Sequence, residues 1–103
     1  MDVFPKFIIE DDKIIIGKVN MHQQLVTDKT KVRGGGWFKF ISDTNTFQFY
    51  GDSNDFGKAT LEDIKSCVDN NQIFEGRGAM YDISDDANFS YHTGSEEIIL
   101  KRV

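Results

Sequence analysis

The sequence predicts an α+β domain: a mostly antiparallel, curved or partly closed sheet of six to eight short strands, with one amphipathic helix at about 60–69 packed on one face. Three observations carry this expectation. Short β-branched and aromatic runs recur along the chain, separated by clusters of Asp, Asn, Ser and Gly. Only TLEDIKSCVD places apolar residues at helical spacing. A length of 103 residues with 39% apolar and 13% aromatic content suits a single core, so 1–103 is expected to form one domain.

The elements follow in order. KFIIEDDKIIIGKV reads as strands at about 6–10 and 13–19 around a turn at Asp11 and Asp12, with Pro5 ahead of the first ladder. NMHQQLV reads as irregular chain or a short strand, and TDKTKVRGGG as the longest polar, glycine-ended loop, where flexibility should concentrate. WFKFI and TFQFYG pair through SDTN, which puts Phe47 and Phe49 on one face and Gln48 and Tyr50 on the other. In the helix, Leu61, Ile64 and Val68 form the apolar stripe. Thr60 with Asp63 resembles a capping box, Glu62 and Asp63 suit the positive end of the dipole, and Asn70 and Asn71 suit a left-handed ending. Strands are expected again at 72–76, 79–83, 89–93 and 96–103, with SDDAN and GS short enough for hairpins, which implies a meander. The helix stripe should cover the aromatic hairpin that precedes it, because sequential elements tend to be neighbours.

Composition narrows the function classes. A net charge of −5, with a pI near 4.8, disfavours binding to a phosphate backbone, so no nucleic-acid partner is expected. Lys29, Lys31, Arg33 and Lys39 are the densest basic group and read as a solvated loop. No apolar window approaches the roughly 20 residues of a membrane helix, so no membrane partner is expected. The start MDVFPKFIIE lacks the basic and apolar regions of a secretory signal, which suggests a cytoplasmic protein. The single cysteine, Cys67, has no internal partner and reads as a small apolar side chain. No cofactor or metal is assigned, because no Walker loop, dinucleotide fingerprint, zinc-spaced set or serine elbow is present.

The loop YGDSNDFG, residues 50–57, joins a strand to the helix with glycine at both ends. A turn of this kind can aim successive N–H groups at an anion, and Gly51, Ser53, Asn54, Asp55 and Gly57 are the candidate anion-binding residues. Asp52 and Asp55 would repel a phosphate and could instead offer oxygens to a hard cation, although no complete calcium-loop pattern is present. Turn chemistry alone also explains these residue types. Two further segments invite similar readings: Arg77 in EGRGAM as an anion contact or a plain turn, and DISDDAN as a weak cation site or a charged hairpin tip.

GGGWF, then a turn, FQFYGDSNDFG and an amphipathic helix together resemble part of the fourteen-kilodalton phosphohistidine phosphatase family, also called Janus; the likeness covers residues of about 22–66. The matching positions are Gly34, Gly35 and Gly36 opening a strand, Tyr50 and Gly51 ending the next, Ser53 in the loop, and Phe56 and Gly57 closing it. His22 in NMHQQLV falls where that family carries its catalytic histidine. The resemblance implies that His22 acts in dephosphorylation of phosphohistidine and that the loop at Ser53, Asn54 and Asp55 holds the phosphate through backbone N–H groups.

Two functions follow from the sequence, the first the favoured reading and the second its alternative. The first is a protein- or peptide-interaction module, docking a partner by strand addition or an aromatic patch, or forming a homodimer through the edge EEIILKRV. The second is a phosphohistidine phosphatase-like phosphoamidase using His22 and the 51–57 loop. His92 alternates with Ser90 against Phe89 and Tyr91, should face solvent, and receives no role.

Overall fold

The structure, a computed structural model, describes residues 4–76 and 83–101. Strands β1 (Phe4–Glu10) and β2 (Lys13–Val19) form the expected antiparallel hairpin, with Asp11 at φ 55° in the turn. Two 3-10 turns follow, His22–Leu25 and Lys29–Lys31. Strands β3 (Val32–Ile41) and β4 (Thr46–Tyr50) make the second antiparallel hairpin, closed by Asn45 in the left-handed region. Helix α1 (Leu61–Asp69) starts at Thr60, whose hydroxyl accepts from Asp63 N–H at 3.1 Å. Strands β5 (Ile73–Glu75), β6 (Asn88–His92) and β7 (Glu97–Leu100) complete the described chain.

The seven strands form one curled sheet in the order β5-β2-β1-β3-β4-β6-β7. This sheet is mixed rather than mostly antiparallel, because β5 pairs parallel to β2 and β6 parallel to β4. The expected meander therefore fails after α1. Parallel neighbours need a crossover, and the connections from β2 to β5 and from β4 to β6 both pass through α1, which carries the chain from β4 to the far edge beside β2. The partners of β6 are β4 and β7. Of the strand expected at 79–83, residues 79–82 lie outside the described residues, as does Arg77, and Ile83 is not in a strand.

One face of the sheet carries the main core. Phe7 meets Phe49 edge-on at 4.8 Å, and Phe49 stacks on Phe89 at 6.2 Å. Ile64, Cys67 and Val68 of α1 join this cluster, while Leu61 is only partly buried. The helix thus covers the aromatic hairpin's core, but its backbone runs closest to β2 and β7. Cys67 is buried, and burial raises its thiol pKa to about 11, so it serves as an unreactive small apolar side chain.

The opposite face of β1 is also covered, by residues 20–31. Ile8, Val19 and Leu25 form a second apolar cluster there, joined by Phe56 from the loop before α1. The segment expected to be loose is tied down by the buried Glu10 carboxylate. Its Oε1 accepts from Thr27 N–H at 2.8 Å and Asp28 N–H at 2.9 Å, and its Oε2 accepts from the Thr27 hydroxyl. Asp28 in turn caps the second 3-10 turn through Thr30 N–H. Burial alone would raise the Glu10 pKa, but the hydrogen bonds from Thr27 and Asp28 outweigh it and hold the carboxyl below its ordinary value.

Phe49→Ala should cost about 3–5 kcal/mol in urea unfolding, because the cavity opens at the centre of the aromatic cluster. Glu10→Ala should cost about 2–4 kcal/mol, since it strands two backbone donors beneath the 20–31 layer. The Glu10 contribution is present above the ordinary carboxylate range and is lost as pH falls through its lowered pKa. Glu10→Gln should therefore flatten the acid limb of a stability profile.

Candidate functional site

A 3-10 turn advances three residues per revolution, so His22 and Leu25 share a side. Leu25 inserts beside Ile8 and Val19, and this anchor seats His22 against the sheet with only 5% of its surface exposed. Gln24 closes the turn from outside, its Oε1 accepting from Asn20 and Met21 N–H at 2.9 Å each.

The imidazole lies over the glycine run, which is not the end of a loop but part of β3. A Cβ on Gly35 would stand 2.6 Å from Phe7 O and 3.3 Å from His22 Cδ2, and one on Gly36 would stand 2.6 Å from Tyr50 O. Bare backbone at these positions lets β1, β4 and the histidine all approach β3. A Cβ on Gly34 would meet the backbone of Lys58 and Ala59 at 2.9 Å, so that glycine admits the chain leading to α1.

His22 Nε2 lies 2.7 Å from Gly36 O. A carbonyl oxygen can only accept, so Nε2 carries the hydrogen and a neutral ring keeps its lone pair on Nδ1. Trp37 meets the ring edge-on at 6.0 Å. Burial lowers the His22 pKa below 6.5, and the charge of Lys6 pushes the same way. The Gly36 bond, Asp55 and Asp52 act in the opposite sense without overcoming burial. At neutral pH the imidazole is uncharged.

In front of this ring opens a pocket of about 360 Å³, lined by Lys6, Asn20, Met21, His22, Trp37, Asp52, Asn54 and Asp55. Lys6 comes from β1, where its Nζ donates to Val19 O at 2.7 Å and lies 4.6 Å from the Trp37 ring centre. Burial lowers its pKa from 10.5.

The 51–57 loop forms the opposite wall. Its shape is set by Gly51 at φ 71° and Gly57 at φ 79°, and by Ser53, whose buried hydroxyl accepts from Asp55 N–H at 3.2 Å and Phe56 N–H at 3.1 Å. Ser53 and Gly57 exchange backbone bonds at 3.1 and 2.9 Å, and Gly57 O accepts from Gly35 N–H at 3.1 Å. These internal bonds use the N–H groups of Ser53, Asp55, Phe56 and Gly57. The N–H groups of Asp52 and Asn54 take no part in them.

Of the sequence candidates, the pocket therefore gathers His22, Asn54 and Asp55, together with Asp52. Gly34, Gly35, Gly36, Gly51, Ser53 and Gly57 shape its walls from behind. Sequence reasoning missed Lys6, Asn20 and Trp37. Lys6 shares a strand face with Ile8 and Glu10, and nothing in KFIIE announces that this face is covered.

His92 is half-buried, accepts from Gly94 N–H at 3.2 Å, and does not line this pocket. Lys29, Lys31, Arg33 and Lys39 are exposed; Lys31 pairs with Asp11 and Arg33 with Asp63, each at 3.5 Å. Among the described residues, no three His, Cys, Asp or Glu side chains gather as a metal-binding set, and no helix is long and apolar enough to cross a membrane.

An NMR titration of the ring nitrogens should place the His22 midpoint below 6.5, with Nδ1 the unprotonated nitrogen of the neutral form. The unfolded chain binds the proton more readily, so this group's effect on stability is to lower it as pH falls below about 6.5, down to the folded midpoint. No family model, curated protein or solved structure matches the chain.

Proposed function

We propose that the pocket binds a phosphoryl group carried on nitrogen and that the protein is a phosphoamidase acting through His22, as the phosphohistidine phosphatase resemblance implies. The observation that carries this reading is an imidazole fixed through Nε2 by Gly36 O, in a ring that lines one pocket with Lys6 and the 51–57 loop. The Nδ1 lone pair takes either the phosphoryl group itself or a proton from the attacking water. Both routes require the unprotonated ring that burial provides. The phosphorus–nitrogen bond breaks, the leaving nitrogen is protonated from solvent, and addition of water releases orthophosphate.

Lys6 balances the charge on the equatorial oxygens, and the N–H groups of Asp52 and Asn54 are the donors left over by the loop's own bonding. The carboxylates of Asp52 and Asp55 are exposed, so water screens their repulsion of the anion. An interaction module is the second reading. It is favoured by Phe74, 44% exposed on β5, and Ile99, 63% exposed on β7, each on an edge strand of the sheet.

Hydrolysis of phosphohistidine and phospholysine by purified protein tests the proposal. His22→Ala should lower kcat/KM by about 10²–10⁴-fold with the fold intact, the range of a lost acid–base or nucleophilic group. Equal rates in the two proteins would remove the catalytic claim. The acid limb of kcat/KM should fall below 6.5, because protonation of His22 consumes the lone pair. Asp52→Asn and Asp55→Asn should each lower KM, by about two- to tenfold, as expected for removing a solvent-screened like charge.

A further inference from the structure

We propose that the outer edge of β7 is a self-complementary surface that pairs two copies of this chain antiparallel about Ile99, extending the sheet across a twofold axis. β7 ends the strand order, so among the described residues its outer edge has no strand partner. The phase of its backbone is fixed from the other side. Thr93 N–H donates to Glu96 O at 3.0 Å, and the register runs Tyr91 to Ile98 and Phe89 to Leu100. Hydrogen-bonded and non-bonded pairs alternate along an antiparallel ladder. Ile98 and Leu100 therefore turn their N–H and C=O groups to β6, while Glu97, Ile99 and Lys101 turn theirs outward.

The side chains obey the same alternation. Ile98 and Leu100 belong to the core face, whereas Glu97, Ile99 and Lys101 are exposed on the outer one. Ile99 is 63% exposed, the highest value among the large apolar residues left on the described surface. An antiparallel pairing centred on Ile99 puts Ile99 against its own copy and Glu97 against Lys101 at both ends. The same register brings the outward N–H and C=O groups of these three residues face to face. Backbone phase, apolar contact and charge thus select one register, and the two charges that would oppose a like edge become cross-strand pairs. A symmetric contact of this kind closes at two copies, whereas joining β7 to the β5 edge would propagate into longer assemblies.

The contact is short, so association is expected at high micromolar concentrations rather than nanomolar ones. Sedimentation equilibrium of the full chain from 10 µM to about 1 mM should show a monomer–dimer equilibrium with nothing larger. Glu97→Lys alone, or Lys101→Glu alone, sets like charges opposite each other twice and should weaken dimerisation by about tenfold or more. The double variant Glu97→Lys with Lys101→Glu restores both pairs and should bring dimerisation back. Circular dichroism should be unchanged throughout, since both substituted positions are exposed. Amide exchange at Glu97, Ile99 and Lys101 should slow as protein concentration rises. A wild type that stays monomeric to 1 mM, assemblies beyond the dimer, or a double variant no stronger than the singles would overturn the proposal. Hydrolysis rates do not enter this test, so it stands or falls separately from the reading of the His22 pocket.

Discussion

Strand β3 runs without side chains at Gly34, Gly35 and Gly36, and the architecture around it rests on how closely other backbone can approach there. A Cβ at Gly35 or Gly36 would sit 2.6 Å from a carbonyl oxygen of Phe7 or Tyr50. Backbone cannot yield as a flexible side-chain end can, so a substitution would have to separate the strands. The same gap admits the His22 ring and exposes Gly36 O to it. Sheet closure and placement of the His22 imidazole are thus one constraint, met by the absence of three side chains.

Two layers of burial turn that gap into a pocket. The main core fixes the sheet from within through Phe7, Phe38, Phe47 and Phe49. The 20–31 segment covers the far side of β1 through Leu25 and is pinned by the buried Glu10 carboxylate. His22 belongs to this second layer and is buried where the layer meets the sheet, and Lys6 is buried beneath it. Burial lowers the pKa of both. The opposing loop is likewise held from behind, by Phe56 in the second cluster and by the Ser53 hydroxyl beneath two of its amides. The N–H groups of Asp52 and Asn54 stay outside the loop's own bonding. Ser53 shapes this wall without lining the pocket.

Local elements were legible because their causes are local. The Asp11 and Asn45 turns, the capping of α1 by Thr60 and the alternation of Phe47 and Phe49 depend on residues a few positions apart. Strand direction after α1 was not legible. A buried strand such as β6, with Phe89, Ser90 and Tyr91 all inside, carries no mark of whether its neighbour runs parallel or antiparallel. That His22 and the 51–57 loop line one pocket could be suspected from the sequence, but the presence of Lys6 there could not, because it follows from a layer laid over β1 by residues far along the chain.

The α+β class, the two hairpins and the helix with its cap and stripe can be read from the order of residues alone. Tertiary structure decided the mixed order of the sheet, the covering of its second face, the nitrogen of His22 that keeps the lone pair, and the meeting of Lys6, Trp37, Asp52 and Asn54 around it. The division has a physical reason. Turns and periodicity are short-range preferences of the backbone, whereas pairing partner, burial and the field at a titratable group are sums over residues distant in sequence, fixed only when the chain has closed on itself.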